Sequence, residues 1–482
     1  MSAAQIWCYP LAMISLFFLS LACTSDAPTT TPSEVDTDTD TDTDTGGDTD
    51  TDTDTDTDDP VVIPDVTVTM SSTIGAVAVV SFTAEAEGQG VVQFGEQDRD
   101  AIYTVDAALQ DDGSWRAVLV GVPSDSTGWL QVGIDEQYDA TIHTYTTGPA
   151  PDWLSSELSG ESSVQGFYAL AVMGKARGAV IVTTEGRPVW WWSAPLDAPG
   201  ILSRVQLSPE HDTVWFNAFN IESFGANNDD GMLVGVALDG SSEETLSLPT
   251  AHHDFLIRPD GVVALPMLDD REVDGRMVRG DSIVELAEDG AQRTVWSSWD
   301  AFPYLVEPTS PPDWWVMLNH LQWVEESGDY VASLKNMTTL VRVDGESGET
   351  EWSISENESY GTLTPDDGFY RQHGFHVPDD ESLLLFDNDG AGGHSRVIRM
   401  ALSPEEERAE TVAIYDGDVS SLIMGDVVEL SDGGLLVCYS SAARLDAMTA
   451  DGDILSQLSF PTMVNVGYIT HLPAIGPGAA VR

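Results

Sequence analysis

From residue 178 onward one unit recurs: a strand, a turn holding an acidic residue and usually glycine, then a second strand that often ends in tryptophan. It reads GAVIVTTEGRPVWWW, GMLVGVALDGSSEETLSL, DSIVELAEDGAQRTVWSS, TTLVRVDGESGETEWSIS, SRVIRMALSPEEERAETVAIY and ARLDAMTADGDILSQLSF, starting near 178, 231, 281, 338, 395 and 443. Hairpins repeating at about fifty residues are the sequence mark of a propeller. A second hairpin class lies between the copies: SRVQLSPEHDTVWFNA, HDFLIRPDGVVALPM, HLQWVEESGDYVASLK, HGFHVPDDESLLLFDN and GDVVELSDGGLLVCYS. Two hairpins per unit make the four strands of a blade. The terminal VGYITHLP supplies the sixth partner and closes the ring onto the first blade. The expected fold is therefore all-β, a six-bladed β-propeller over residues 151–482. Ahead of it, residues 61–150 alternate in short runs such as VTVTM, AVAVVSFTA and WLQVGI, the pattern of a small N-terminal β-sandwich of immunoglobulin or fibronectin size.

Residues 1–22 read as an export signal of lipoprotein type. Leu11–Leu21 is long enough for the apolar region of a signal and too short to span a bilayer, and it ends LSLAC. Cys23 is the expected lipidation site. Residues 23–60, dominated by Thr-Asp repeats, hold nothing that could found a core, and their like charges repel; a disordered tether is expected. The reading is of an exported protein, lipid-anchored to the bacterial outer membrane or cell surface, with soluble secretion as the alternative. Eighty-one acidic residues against 19 Lys and Arg exclude nucleic acid and anionic lipid surfaces as partners. The membrane enters only through the lipid. Of three cysteines, Cys8 lies in the signal and Cys23 is the anchor, so Cys438 has no partner for a disulfide.

Aligned on the turn, the second hairpin class begins at Ser203, His253, His320, His373 and Gly425. Three of the five positions carry histidine. The strand nearest the axis of a propeller lines the central channel, so three imidazoles are expected at one mouth of it. Strand alternation puts Gln322 on the face of His320, sends His376 to the opposite face, and favours His253 over its neighbour His252. The returning strands end near Lys335 and Asn388, with Arg396 shortly after. Cations and imidazoles at one rim of so acidic a protein describe a site for a small anion. Zinc or copper is the competing use of three histidines; separate blades and an adjacent cation speak against it, and no metal or other cofactor is expected.

At these residues the chain resembles the bacterial aryl-sulfate sulfotransferase family. The likeness is carried by HHDFLIRPDG, DWWVMLNHLQWV, YRQHGFHV with LLLFDND, and SRVIRM. It implies an exported six-bladed propeller with a small N-terminal β-domain, working through a transiently sulfated histidine. His373 takes the nucleophile role and His253 and His320 supporting ones. Two positions depart from the family pattern: Gln322 stands where Asn is usual, and Lys335, one of two lysines in the chain, stands where Arg is usual.

Neutral imidazole is a nucleophile at pH 7 without special activation. The expected reaction is cofactor-independent: His373 attacks the sulfur of an aryl sulfate, His253 or His320 protonates the departing phenolate, and a phenol acceptor then takes the sulfuryl group. Lys335 and Arg396 are expected to hold the sulfate oxygens, Gln322 and Asn388 to assist binding, and Trp315 and Trp323, with Trp314, to wall the aromatic part. A non-catalytic propeller that binds a sulfated or aromatic ligand is the alternative, and a homodimer is left open.

Overall fold

The computed structural model describes residues 63–481 except 86, 136, 163, 175, 196–198, 221–229, 306–312 and 390–392. The export signal, Cys23 and the Thr/Asp tether lie outside the described residues. Residues 59–482 form one compact unit.

Strands dominate, and among the described residues the only α-helix is the single turn Ser298–Ala301. Among the described residues six largely antiparallel sheets follow one another along the chain as propeller blades. Four of them take strands in simple order: Ile201–Leu207 through Glu243–Ser247, Leu256–Ile257 through Gln292–Ser297, Leu318–Val324 through Thr350–Ile354, and Phe375–Asp379 through Arg408–Asp416. The remaining two are closed by exchange between the ends of the chain. Met463–Leu472 joins the blade of Phe167–Gly174, Arg177–Thr183 and Pro188–Ser193, and Glu157–Gly160 adds an outer strand to the blade of Asp426–Glu429 through Ile454–Ser459. The middle strands read as continuous apolar runs because both faces are covered: Ala169–Val172 and Ala179–Val182 are buried throughout.

The inner strands start blade after blade at one end of the channel, and among the described residues no further strand pairs with them on the axial side. Side chains take over that duty. Gln206 accepts from the N–H of Ile257 at 2.9 Å, Asp254 from Leu321 at 3.0 Å, Gln322 from Val377 at 2.9 Å, His376 from Glu429 at 3.0 Å, and Asp426 from Ile469 at 3.0 Å. Each bond runs from one inner strand to the next. Each satisfies an N–H that burial would otherwise leave costly.

The N-terminal part folds as two facing sheets around Phe82, Phe94, Val105, Leu130 and Val132. Its second sheet takes in Ala480–Val481 from the far end of the chain, so the last described residues belong to this layer pair rather than to a blade. Arg187 holds the junction, bonding both oxygens of Glu96 at 2.6 Å.

Candidate active site

Four successive inner strands are entered through a residue in the left-handed region: His253 (φ 56°), Met317 (φ 56°), Arg371 (φ 59°) and Met424 (φ 52°). None is glycine, so each entry costs on the order of 1 kcal/mol or more that the surrounding structure supplies. Such backbone is concentrated where side chains must be aimed, here at the channel mouth that carries His253 and His373.

His373 sits two residues before the strand Phe375–Asp379 and is 4% exposed. Its Nδ1 lies 2.8 Å from the Asn388 oxygen and 3.0 Å from the carbonyl of Arg371. The Asn388 amide nitrogen bonds the carbonyls of Ser421 and Met424, both at 2.6 Å. Carbonyls only accept, which fixes the orientation of Asn388 and leaves its oxygen as an acceptor. Nδ1 of His373 must then carry the proton, and Nε2 the lone pair. Nε2 has no hydrogen-bond partner among the described residues. Burial pushes the imidazole down to about 4, a shift that the Asn388 bond opposes and Lys335 reinforces. His373 is therefore neutral at pH 7, with its nucleophilic nitrogen unencumbered. Asn388, expected to bind substrate, instead orients the histidine.

Lys335 begins the turn after the strand Asp329–Leu334 and is half-buried. Its Nζ meets the Met317 sulfur at 3.5 Å and the Asn336 amide oxygen at 3.2 Å, and no carboxylate pairs with it among the described residues. Burial, and then the charge of Arg371, lower its pKa. An unpaired cation is conspicuous in a chain of net charge −62. Arg371, the R of YRQHG, is a second one, exposed and without an ion pair among the described residues.

His252 and His253 lie together, with their Nδ1 atoms 2.8 Å apart. Nε2 of His252 is 3.1 Å from Asp281, whose carboxylate also accepts from Trp314 Nε1 at 3.0 Å and from the N–H of Leu318 at 2.7 Å. Alternation had set His252 aside, but alternation holds only inside a strand, and this strand spans Leu256–Ile257. At 252–254 the backbone turns tightly instead, with Asp254 N–H on the His252 carbonyl at 2.7 Å. Burial first, then His252, His373 and Lys335, hold His253 well below the usual histidine range. Phe219 and Trp314 flank its ring.

His320 lies deeper, between the rings of Phe375 and Tyr468. A bulge between Leu318 and His320 changes the phase of this strand. Its Nε2 meets Arg204 at 2.8 Å, and its Nδ1 is buried without a hydrogen-bond partner. Arg204, paired with Asp254 at 2.5 Å, lies over the Tyr468 ring. With Nε2 taken by the Arg204 guanidinium and Nδ1 buried, His320 offers no open nitrogen. On this side a cavity of about 300 Å³ is lined by Arg204, His320, Gln322, His376 and Asp426.

Four expected site residues are committed elsewhere. Arg396 is paired with Asp387 at 2.9 Å and donates to the Gly368 carbonyl at 2.7 Å; Asp387 in turn accepts from Tyr370 N–H at 3.0 Å. The pair shapes the loop that presents His373 and does not reach for an anion. Gln322 spends both ends of its amide on the backbone of Val377. Trp315 packs against Trp299 and Tyr304, and Trp323 lies on Tyr330 under Arg258. Of the tryptophans, Trp314 is the one in contact with the histidines. His376 accepts the Glu429 N–H and is part of the scaffold. The three site histidines do not converge as metal ligands: among the described residues the only such cluster is Asp329, Asp344 and Glu351, where Arg342 pairs with Asp329 at 2.8 Å and Glu351 at 3.1 Å.

Comparison with known proteins finds one family: residues 232–457 match the arylsulfotransferase (ASST) model. No curated protein matches the chain. Among solved structures, a nidogen/laminin complex aligns at 11% identity and TM-score 0.42, over 64% of this chain and 99% of that one. A streptogramin B lyase aligns at 10% and 0.36, over 64% and 88%, and a 6-phosphogluconolactonase-like protein from Bacteroides uniformis at 10% and 0.38, over 80% and 100%.

Proposed function

We infer, from a chain that carries an arylsulfotransferase domain over residues 232–457, that it moves a sulfuryl group from an aryl sulfate to a phenol through a sulfated His373. The observation that carries this reading is the His373–Asn388 pair, which leaves the Nε2 lone pair without a partner among the described residues, with Lys335, which no described carboxylate pairs, near enough for its charge to act on the ring. Sulfuryl transfer asks for little more than an in-line nucleophile and compensation of charge on the oxygens. Nε2 attacks sulfur as the S–O bond to the aryl oxygen breaks. Lys335, with Arg371 behind it, faces the negative charge of the transferred group. Tyr370, Leu422 and Ile423, exposed on the two loops tied to Asp387 and Asn388, offer apolar surface for the aryl ring. In the second half-reaction a phenol takes the group and His373 returns to neutral.

Incubating the protein with aryl sulfate alone tests this. One sulfuryl group per chain should appear on the peptide 369–377 and disappear when phenol is added. A protein that binds the donor, never carries the group and never turns over is instead a binding module. An adduct on His253 would move the nucleophile. Cys23 as a lipid anchor holding the domain away from a membrane on its acidic tether belongs to the same proposal. Cys23→Ser should release soluble protein, and wild type already free of membranes would refute it.

A further inference from the structure

The aryl oxygen departs as a phenolate, and a basic phenolate leaves slowly unless it is protonated; the sequence offers His253 or His320 as the source of that proton. His320 cannot supply it, since Nε2 faces Arg204 and Nδ1 is sealed in. His373 is consumed as nucleophile. His253 remains, and it does not stand alone.

We propose that Asp281, His252 and His253 form a proton relay that protonates the departing phenolate and deprotonates the incoming phenol, with His253 as the group that touches substrate and His252 and Asp281 as positioning residues. The inference rests on the sulfuryl-transfer reading. Three observations carry it. The chain of contacts is continuous, from Asp281 to His252 Nε2 at 3.1 Å and from His252 Nδ1 to His253 Nδ1 at 2.8 Å. Its inner end is fixed: Asp281 is fully buried and held by Leu318 N–H and Trp314, and the His252 ring stands edge-on to Trp314 at 5.1 Å. Its outer end is open, because Nε2 of His253 has no hydrogen-bond partner among the described residues. Asp281, Phe219 and Trp314 touch the two rings, and His373 and Lys335 are near enough to act on His253.

Two nitrogens 2.8 Å apart share one proton, so the relay has two arrangements. In the first, His252 is doubly protonated against the Asp281 carboxylate, Nδ1–H donates to His253, and His253 carries its own proton on Nε2. As the S–O bond breaks and the S–N bond to His373 forms, the aryl oxygen takes the Nε2 proton. His253 recovers one on Nδ1 from His252. The chain is left with one proton fewer, His252 neutral and still bonded to Asp281 through Nε2–H. That second arrangement presents a bare Nε2 to the acceptor phenol, takes its proton as its oxygen attacks sulfur, and restores the first. His253 never holds two protons, which agrees with burial and its cationic neighbours pressing its pKa down.

The test is the dependence on leaving group. Wild type, His252→Gln and Asp281→Asn are compared in single turnover, without acceptor, on phenyl sulfate, whose phenol is about as weak an acid as tyrosine (near 10), and on 4-nitrophenyl sulfate, whose phenolate needs no proton to leave. The relay requires the loss on phenyl sulfate to exceed that on the nitrophenyl donor by roughly a hundredfold, the scale of general acid catalysis. A merely structural His252 would lower both equally, and that outcome overturns the relay. Asp281→Asn keeps the shape and can still accept from Leu318, and His252→Gln leaves Asp281 in place, so misfolding of one variant does not spare the idea. Wild type that is sulfated by neither donor would defeat the transferase reading itself, whereas wild type that turns over both, beside variants with equal losses, defeats the relay alone.

Discussion

The Asn388 side chain accepts the Nδ1 proton of His373 at 2.8 Å while donating to two backbone carbonyls, and this one residue decides which nitrogen of the histidine can react. Asn388→Ala removes the acceptor and frees the ring to turn and to change tautomer. The Ser421 and Met424 carbonyls also lose their donor. A lost hydrogen bond of this kind is worth about 1–3 kcal/mol. The sulfation rate in single turnover should therefore fall roughly 5–150-fold, with donor affinity changed much less. Equal loss in affinity and rate would mean that Asn388 binds substrate.

In the proposed reaction the low pKa of His373 sets the acid limb. Its neutral form persists in the folded protein down to about 4, so sulfation from free enzyme and donor should stay level from pH 8 to pH 5 and fall only below that. A limb near 6.5 would mean an exposed imidazole. The same shift is a statement about folding. The unfolded chain takes up the His373 proton as pH falls through about 6.5, whereas the folded chain does so only near 4. Stability from this group is thus complete above 6.5, declines through that window, and has no further loss below it. His373→Asn should therefore gain on wild type by roughly 2 kcal/mol between pH 7 and pH 5, read from denaturant midpoints at the two pH values.

In the proposed reaction Lys335 and Arg371 divide one task by burial. Lys335 is half-buried with no carboxylate beside it, so Lys335→Ala should cost about 1.5–3 kcal/mol of transition-state binding. Lys335→Arg keeps the charge and should keep most of the rate. Arg371 is exposed and screened, and Arg371→Ala should cost less than about 1 kcal/mol, chiefly in KM and more at low salt than at high. Small and equal effects of both alanine changes on kcat/KM would place the anion elsewhere.

The blades were legible because a fifty-residue hairpin period survives any detail of side-chain contact, and the closing VGYITHLP strand followed from counting hairpins. The same register pointed to His253, His320 and His373 together, but a bulge between Leu318 and His320 sets His320 deeper than the other two. What lay beyond it was the irregular backbone. A left-handed His253 and a turn at 252–254 brought His252 and Asp281 into play, where a rule of strict alternation had excluded the first and had no reason to look at the second. Arg396 and Gln322 were misjudged for another reason. Sequence shows that a charge or an amide lies near a site, but not that Asp387 or the Val377 backbone has already claimed it. Trp315 and Trp323 follow the common fate of aromatics in a propeller, buried between blades or laid over an arginine.

The stretch FYRQHGFHV sets two histidines three residues apart with opposite duties, and substitution should separate them. His373 lies outside the regular strand with Nε2 open, whereas His376 lies within it and spends Nδ1 on the N–H of Glu429 in the next blade. If His373 is the covalent nucleophile proposed, its removal leaves no alternative route, so His373→Asn should abolish the adduct and the turnover while the protein still folds. His376→Ala strands a largely buried N–H and should lower stability by about 1–3 kcal/mol, with the transfer rate per folded molecule close to that of wild type. His376→Gln, whose amide oxygen can reach the same N–H as Gln322 reaches Val377, should recover part of that loss. A His373→Asn protein that still transfers sulfate, or a His376→Gln protein no more stable than His376→Ala, would reverse the assignment of the pair.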